Sequence, residues 1–133
     1  MVTYIYYYNI VGSTAMTLSE ENEKLAKYLI ISDIPRSVAY TLVYIRDKGE
    51  ITSVEIERET GLRQPEVSIA MQWLRRKGWI NKRNMKKEGK GRPIHGYKLS
   101  KDFNEILDEI VQDLGNKISE INSNISQLKS FQV

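Results

Sequence analysis

From residue 17 onward, apolar side chains mostly return every three or four positions, the period of one face of an α-helix, whereas the stretches around Trp79 and Leu99 read as strands. Thr17 and Glu20 have capping-box spacing, and Leu25, Tyr28 and Leu29 follow at i, i+3 and i+4, which predicts a first helix. Pro35 suits a first helical turn; Val38, Leu42, Val43 and Ile45 form a second stripe, for which Gly49 is the expected stop. Glu50-Ile51-Thr52 is long enough for a single strand rung. Thr52 or Ser53 then caps a short third helix running to Thr60 and stopped by Gly61. A fourth helix starts at Gln64-Pro65-Glu66, where proline at the first helical position and an acid in the first turn suit an N-terminus. It turns Val67, Ala70, Met71 and Leu74 to one side and closes at Gly78.

Trp79 to Arg83 and Ile94 to Leu99 predict two strands joined by Lys86-Lys87-Glu88-Gly89-Lys90-Gly91, a hairpin with a basic tip. Ser100 is placed to cap a last helix, with Asp102 in its first turn. Along that helix Phe103, Leu107, Ile110, Leu114, Ile118, Ile121, Ile125 and Leu128 recur at spacings of 4, 3, 4, 4, 3, 4 and 3, a coiled-coil seam with one extra residue near Gly115 and Lys117. Roughly 30 helical residues reach about 45 Å, farther than a small head covers, so a partner helix is expected.

Residues 1–16 stand apart: Tyr4, Tyr6, Tyr7 and Tyr8 cluster with Val2, Ile5, Ile10 and Val11, without a charge. They read as a strand or as an added arm, with Met16 as an alternative start. The expected organisation is therefore an arm over 1–16, a head over 17–99 and a dimerisation helix over 100–133.

Composition narrows the function. A chain of 133 residues with 28% charged and 41% hydrophobic positions has the makeup of one globular unit. It has neither a bilayer-length apolar run nor a signal peptide, which predicts a cytoplasmic protein without membrane contact. No cysteine is present and His95 is the single histidine, which removes disulfides, thiolate metal sites, cysteine nucleophiles and histidine pairs. An all-carboxylate site for a hard cation is left open by this argument. Paired carboxylates, a nucleophile with its base and a phosphate loop are all missing as motifs, so neither an enzyme nor a cofactor or metal is expected.

Charge changes the picture more. Between Arg75 and Lys98 stand ten basic residues and one acid, a local +9, whereas the whole chain carries +3 and the remainder therefore −6. Such segregation marks a polyanion-binding face on an acidic body. Two helices joined by a tight glycine turn, the second followed by a basic hairpin, make a winged helix-turn-helix: mainly α with a small β-hairpin (α+β). Opposite its apolar face, the fourth helix presents Pro65, Ser68, Ile69, Gln72 and Arg76, with Arg75 at the edge and Arg63 and Gln64 at the N-terminal end. Gln72 suits adenine, Arg76 guanine or a phosphate, Ser68 either partner, and Ile69 a thymine methyl. Trp73 lies between the faces and is expected to pack. Lys82, Arg83, Lys86, Lys87, Lys90 and Arg92 are the wing candidates for phosphate contact.

The run from Ile56 through Leu62, Arg63-Gln64-Pro65-Glu66-Val67-Ser68, Leu74, Gly78-Trp79-Ile80, Gly91-Arg92-Pro93 and Tyr97-Lys98-Leu99 resembles the ArsR/MarR-like winged-helix transcription regulators, particularly archaeal ones. The resemblance covers about half the chain. It implies a dimer on double-stranded DNA, with recognition helices in successive major grooves and wings on the flanking backbone or minor groove, for which Arg92 is the best minor-groove candidate. Glu57 stands where the family usually has a small alanine, and the cysteine and histidine ligands of metal-sensing members are missing, so metal response does not carry over. His95 is expected to pack or face solvent. The favoured function is a sequence-specific homodimeric regulator, its seam formed by Leu107, Ile110, Leu114, Ile118, Ile121, Ile125 and Leu128. The alternative is a winged-helix protein-interaction or general chromatin module.

Overall fold

Three glutamates at the start and a serine before them open the first helix of the computed structural model, which describes residues 19–85 and 94–133. In α1 (Glu20–Ile31) the Ser19 side chain accepts from the Asn22 N–H at 3.2 Å, and Glu20, Glu21 and Glu23 face the positive end of the helix dipole. The cap is thus Ser19 rather than Thr17, which lies outside the described residues, and Glu20 is the first helical residue instead of a capping-box partner. The helix ends on Asp33, held at φ 69°, with the Ile34 N–H donating to Leu29 O and the Asp33 N–H to Ile30 O. This is a Schellman turn with aspartate where glycine is usual, closed by the buried pair Leu29 and Ile34.

The central element is α2 (Arg36–Ile45), in which Val38 to Val43 and Ile45 are all buried. The one polar side chain within that run that has a hydroxyl on a methyl-bearing carbon, Thr41, donates to Ser37 O at 2.8 Å. Its C-cap is Arg46, so the helix stops before Gly49, whose φ is not positive; the expected glycine stop is not used.

The rung β1 (Ile51–Thr52) leads into α3 (Ser53–Thr60), and Thr52 is the cap, accepting from the Glu55 N–H at 3.2 Å. Gly61, at φ 73°, ends α3, and α4 (Gln64–Arg76) follows after two residues, with Pro65 at its second position. Glu57 is half-buried and α3 still packs on α4, with Ile56, Leu62 and Val67 in the core. The chain then forms β2 (Ile80–Met85) and β3 (Ile94–Leu99), and the sheet runs β1-β3-β2, antiparallel throughout.

Ser100 does not cap the last helix. Its hydroxyl donates to Gly78 O and its N–H to Trp79 O at 2.9 Å, tying the end of β3 to the turn before β2. The cap of α5 (Phe103–Ser130, 28 residues) is Asp102, which accepts from the Asn104 N–H. The chain divides into two units, Met1–Lys101 and Asp102–Val133. Within the second, Ile106 and Ile110 are buried, Leu107 and Leu114 half-buried, and Val111, Ile118, Ile121, Ile125, Leu128 and Phe131 exposed. The arm over 1–16 and the hairpin tip over 86–93 lie outside the described residues.

Candidate nucleic-acid interface

The register of α4 decides what it offers. Val67, Ala70, Met71 and Leu74 are buried, as their spacing predicts, and this rotation leaves Ser68, Ile69, Gln72, Arg75 and Arg76 exposed along the opposite side. Arg63, Gln64 and Pro65 are exposed at its N-terminal end. Gln72, Arg75 and Arg76 line a surface depression of about 450 Å³. A helix about 10–12 Å across fits a major groove about 12 Å wide, and this row is the part of α4 free to meet base edges.

The N-terminus of α4 holds a small charge network. The Glu66 carboxylate accepts from the Arg63 N–H at 3.1 Å, and the Arg63 and Arg36 guanidinium groups stand 3.7 Å from its two oxygens. Arg63 is therefore partly engaged within the protein. Arg36, at the start of α2 and 5.4 Å from the Tyr40 ring, reaches the same place, a neighbour that sequence spacing did not reveal. At the other end, Gly78 at φ 74° makes a second Schellman turn, with the Trp79 N–H on Leu74 O and the Gly78 N–H on Arg75 O. Trp79 and Leu74 are both buried. Trp73 packs edge-on against Trp79 at 5.5 Å, with the Lys77 ammonium over both rings.

Strand register divides the wing candidates. Ile80, Lys82 and Asn84 share one face with Leu99, Tyr97 and His95, and the burial of Ile80 and Tyr97 makes this the face toward the body. His95 Nδ1 lies 2.8 Å from Asn84 Oδ1 across the strands. Arg83 is on the other face with Asn81, Met85, Gly96 and Lys98, and there it grips Glu50 with two guanidinium nitrogens, Nε at 2.8 Å. That bond holds the Glu50 carboxyl below the usual carboxylate range. Burial pushes the Tyr97 hydroxyl up, against the opposing effect of nearby Arg75. Lys86, Lys87, Lys90 and Arg92 lie outside the described residues.

On α5, described by itself, the predicted seam residues from Ile118 to Leu128 form an exposed apolar stripe, whereas Ile110 is buried and Leu107 and Leu114 are half-buried. Among the described residues no cluster of side chains suits a metal ion, and no helix is long and apolar enough to cross a membrane.

No protein-family model and no curated protein sequence matches the chain. Its fold is similar to that of solved structures. TrmBL2, described as an archaeal chromatin protein with a novel mode of DNA binding, matches at 15% identity and a TM-score of 0.63, over 82% of this chain and 40% of that one. A possible transcriptional regulator from Methanosarcina mazei Go1 matches at 16% identity and 0.55, over 91% and 100%. The multiple antibiotic resistance repressor MarR matches at 20% and 0.50, over 96% and 84%. The chain thus spans about two fifths of the length of TrmBL2. The fold is the winged helix-turn-helix, with α3 and α4 as the helix pair and β2 and β3 as the wing, as the resemblance in sequence implied.

Proposed function

We propose that the protein is a sequence-specific double-stranded DNA-binding transcription regulator that acts as a homodimer. The observation that carries this reading is the exposed row Ser68, Ile69, Gln72, Arg75 and Arg76 on a helix whose other side is sunk in the core. Gln72 has the bidentate geometry for adenine, Arg76 for guanine, and Ile69 can meet a thymine methyl. Wing cations outside the described residues, Lys86, Lys87, Lys90 and Arg92, supply phosphate neutralisation, and Lys82 on β2 adds to it. The shared fold with a DNA-binding chromatin protein and with transcription regulators supports the same reading. The exposed stripe of α5 supports self-association, and half-sites about one helical turn, or about 10 bp, apart suit such a dimer.

Selection of bound sequences from a random duplex pool tests this directly. A sharp two-fold motif is the expected result. A flat outcome with strong binding favours a general chromatin module instead, a reading to which the likeness to TrmBL2 gives weight. Binding to no duplex at low salt points to a protein partner.

A further inference from the structure

Glu50, the residue before β1, and Arg83, on β2, stand on opposite sides of β3, the middle strand of the sheet. Their side chains meet across that middle strand in a two-pronged carboxylate–guanidinium pair, a geometry that fixes direction as well as distance. The crossing needs space at one residue. Thr52, Gly96 and Arg83 are register partners across the three strands, and a Cβ on Gly96 would fall 2.9 Å from Glu50 Cδ and 2.7 Å from Met85 Sδ. Gly96 has no positive φ, so room for the Met85 and Glu50 side chains, rather than backbone conformation, accounts for the glycine. Arg83 also faces away from the side of the hairpin where Lys82 and Tyr97 lie toward the body.

We propose that Glu50 is a positioning residue for duplex binding: through Arg83, over the gap at Gly96, it straps the outer strand of the wing to the body, and Arg83 is committed to this strap rather than to a phosphate. This rests on the reading of the protein as a duplex binder. Its consequence is that one of the two cations on β2 adds nothing to the phosphate count, and that an acid outside the basic run sets the wing's stance.

The test compares the full chain with Glu50→Gln, Arg83→Gln, Arg83→Lys, the Glu50→Gln/Arg83→Gln double variant and Lys82→Gln. Affinity for a fixed duplex is measured across a salt series, and amide hydrogen exchange of residues 82–85 is followed without DNA. A phosphate ligand contributes about 0.9 to the slope of log affinity on log salt. Lys82→Gln is expected to lose that amount. Glu50→Gln, Arg83→Gln and Arg83→Lys each weaken binding about two- to fivefold, as an exposed ion pair allows, with the slope unchanged. The double variant is no weaker than either single one, and exchange at 82–85 quickens alike in all strap variants. The proposal is overturned if Arg83→Gln flattens the slope by about 0.9 while Glu50→Gln tightens binding, because Arg83 then serves a phosphate and Glu50 restrains it. Unchanged exchange overturns it as well. If the unsubstituted chain binds no duplex, the DNA reading falls on its own, and the exchange result still decides whether the strap exists.

Discussion

Replacing Ile121 by serine tests whether the exposed stripe of α5 joins two copies. Ile118, Ile121, Ile125 and Leu128 are 61, 57, 45 and 69% exposed, at the 3 and 4 spacing of a two-stranded seam. Full burial of an isoleucine contributes about 1.5–3 kcal/mol, so covering the exposed 57% of Ile121 is worth about 0.9–1.7 kcal/mol in each protomer. A two-fold dimer contains the residue twice, and the substitution removes about 1.7–3.4 kcal/mol, a rise in dimer Kd of about twenty- to three-hundredfold. Sedimentation velocity over a concentration series reads this as a shift of the monomer–dimer midpoint. A duplex with two half-sites should lose its advantage over one with a single half-site by a comparable factor. A wild-type chain that stays monomeric at every concentration, or a midpoint that Ile121→Ser does not move, would refute the reasoning and leave the stripe to another partner.

Further expectations concern the head. Gly78→Ala introduces a side chain into open space at φ 74°, so only backbone strain of about 1 kcal/mol acts, whereas Asp33→Gly removes such strain and raises stability by up to about 1 kcal/mol; urea titrations should give the two opposite signs. Among the described residues the buried Tyr40 hydroxyl has no hydrogen-bond partner, so Tyr40→Phe should stabilise by about 1 kcal/mol in the same assay, and a clear loss would reveal a partner. Burial raises the Tyr40 and Tyr97 hydroxyls above their ordinary range. A raised folded-state value means a contribution that is complete below about pH 10 and is lost as the pH climbs past it, so circular dichroism should report alkaline unfolding, with a smaller effect in Tyr40→Phe. In duplex binding, Gln72→Ala should relax a single base position. Replacing Lys86 and Lys87 should instead weaken all duplexes alike and flatten the salt slope; equal effects from both changes would contradict this division.

Much of the helical frame was legible because one face of each helix must be buried, and a period of 3.6 writes that requirement into the sequence. The buried row of α4 and the glycine turns at Gly61 and Gly78 follow from it. Features governed by long-range register were hidden. Ser100 and Asp102 are both competent caps, and only the hydroxyl bond from Ser100 to Gly78 O decides between them. Asp33 carries a left-handed turn without the glycine that usually announces one. Ile106 is buried one position from the predicted seam residue Leu107, since α5 carries two apolar rows that overlap near its start.

The same limit governs the charge of the site. A count along the chain treats the basic residues from Arg75 to Lys98 as one surface, yet strand alternation sends Lys82 to the body-side face and Arg83 and Lys98 to the other. On the proposed reading, a duplex lying along α4 would be met by Arg75, Arg76 and Lys82, while Arg83 is held by Glu50. On that reading net charge overstates the number of phosphates contacted, whereas the salt slope counts them, at about 0.9 for each contact. Because Lys98 lies on the far face, Lys98→Gln should leave that slope unchanged even though it removes the same formal charge as Lys82→Gln. Equal flattening by the two substitutions would mean that the duplex wraps both faces of the hairpin, and that alternation along the strand does not sort its cations.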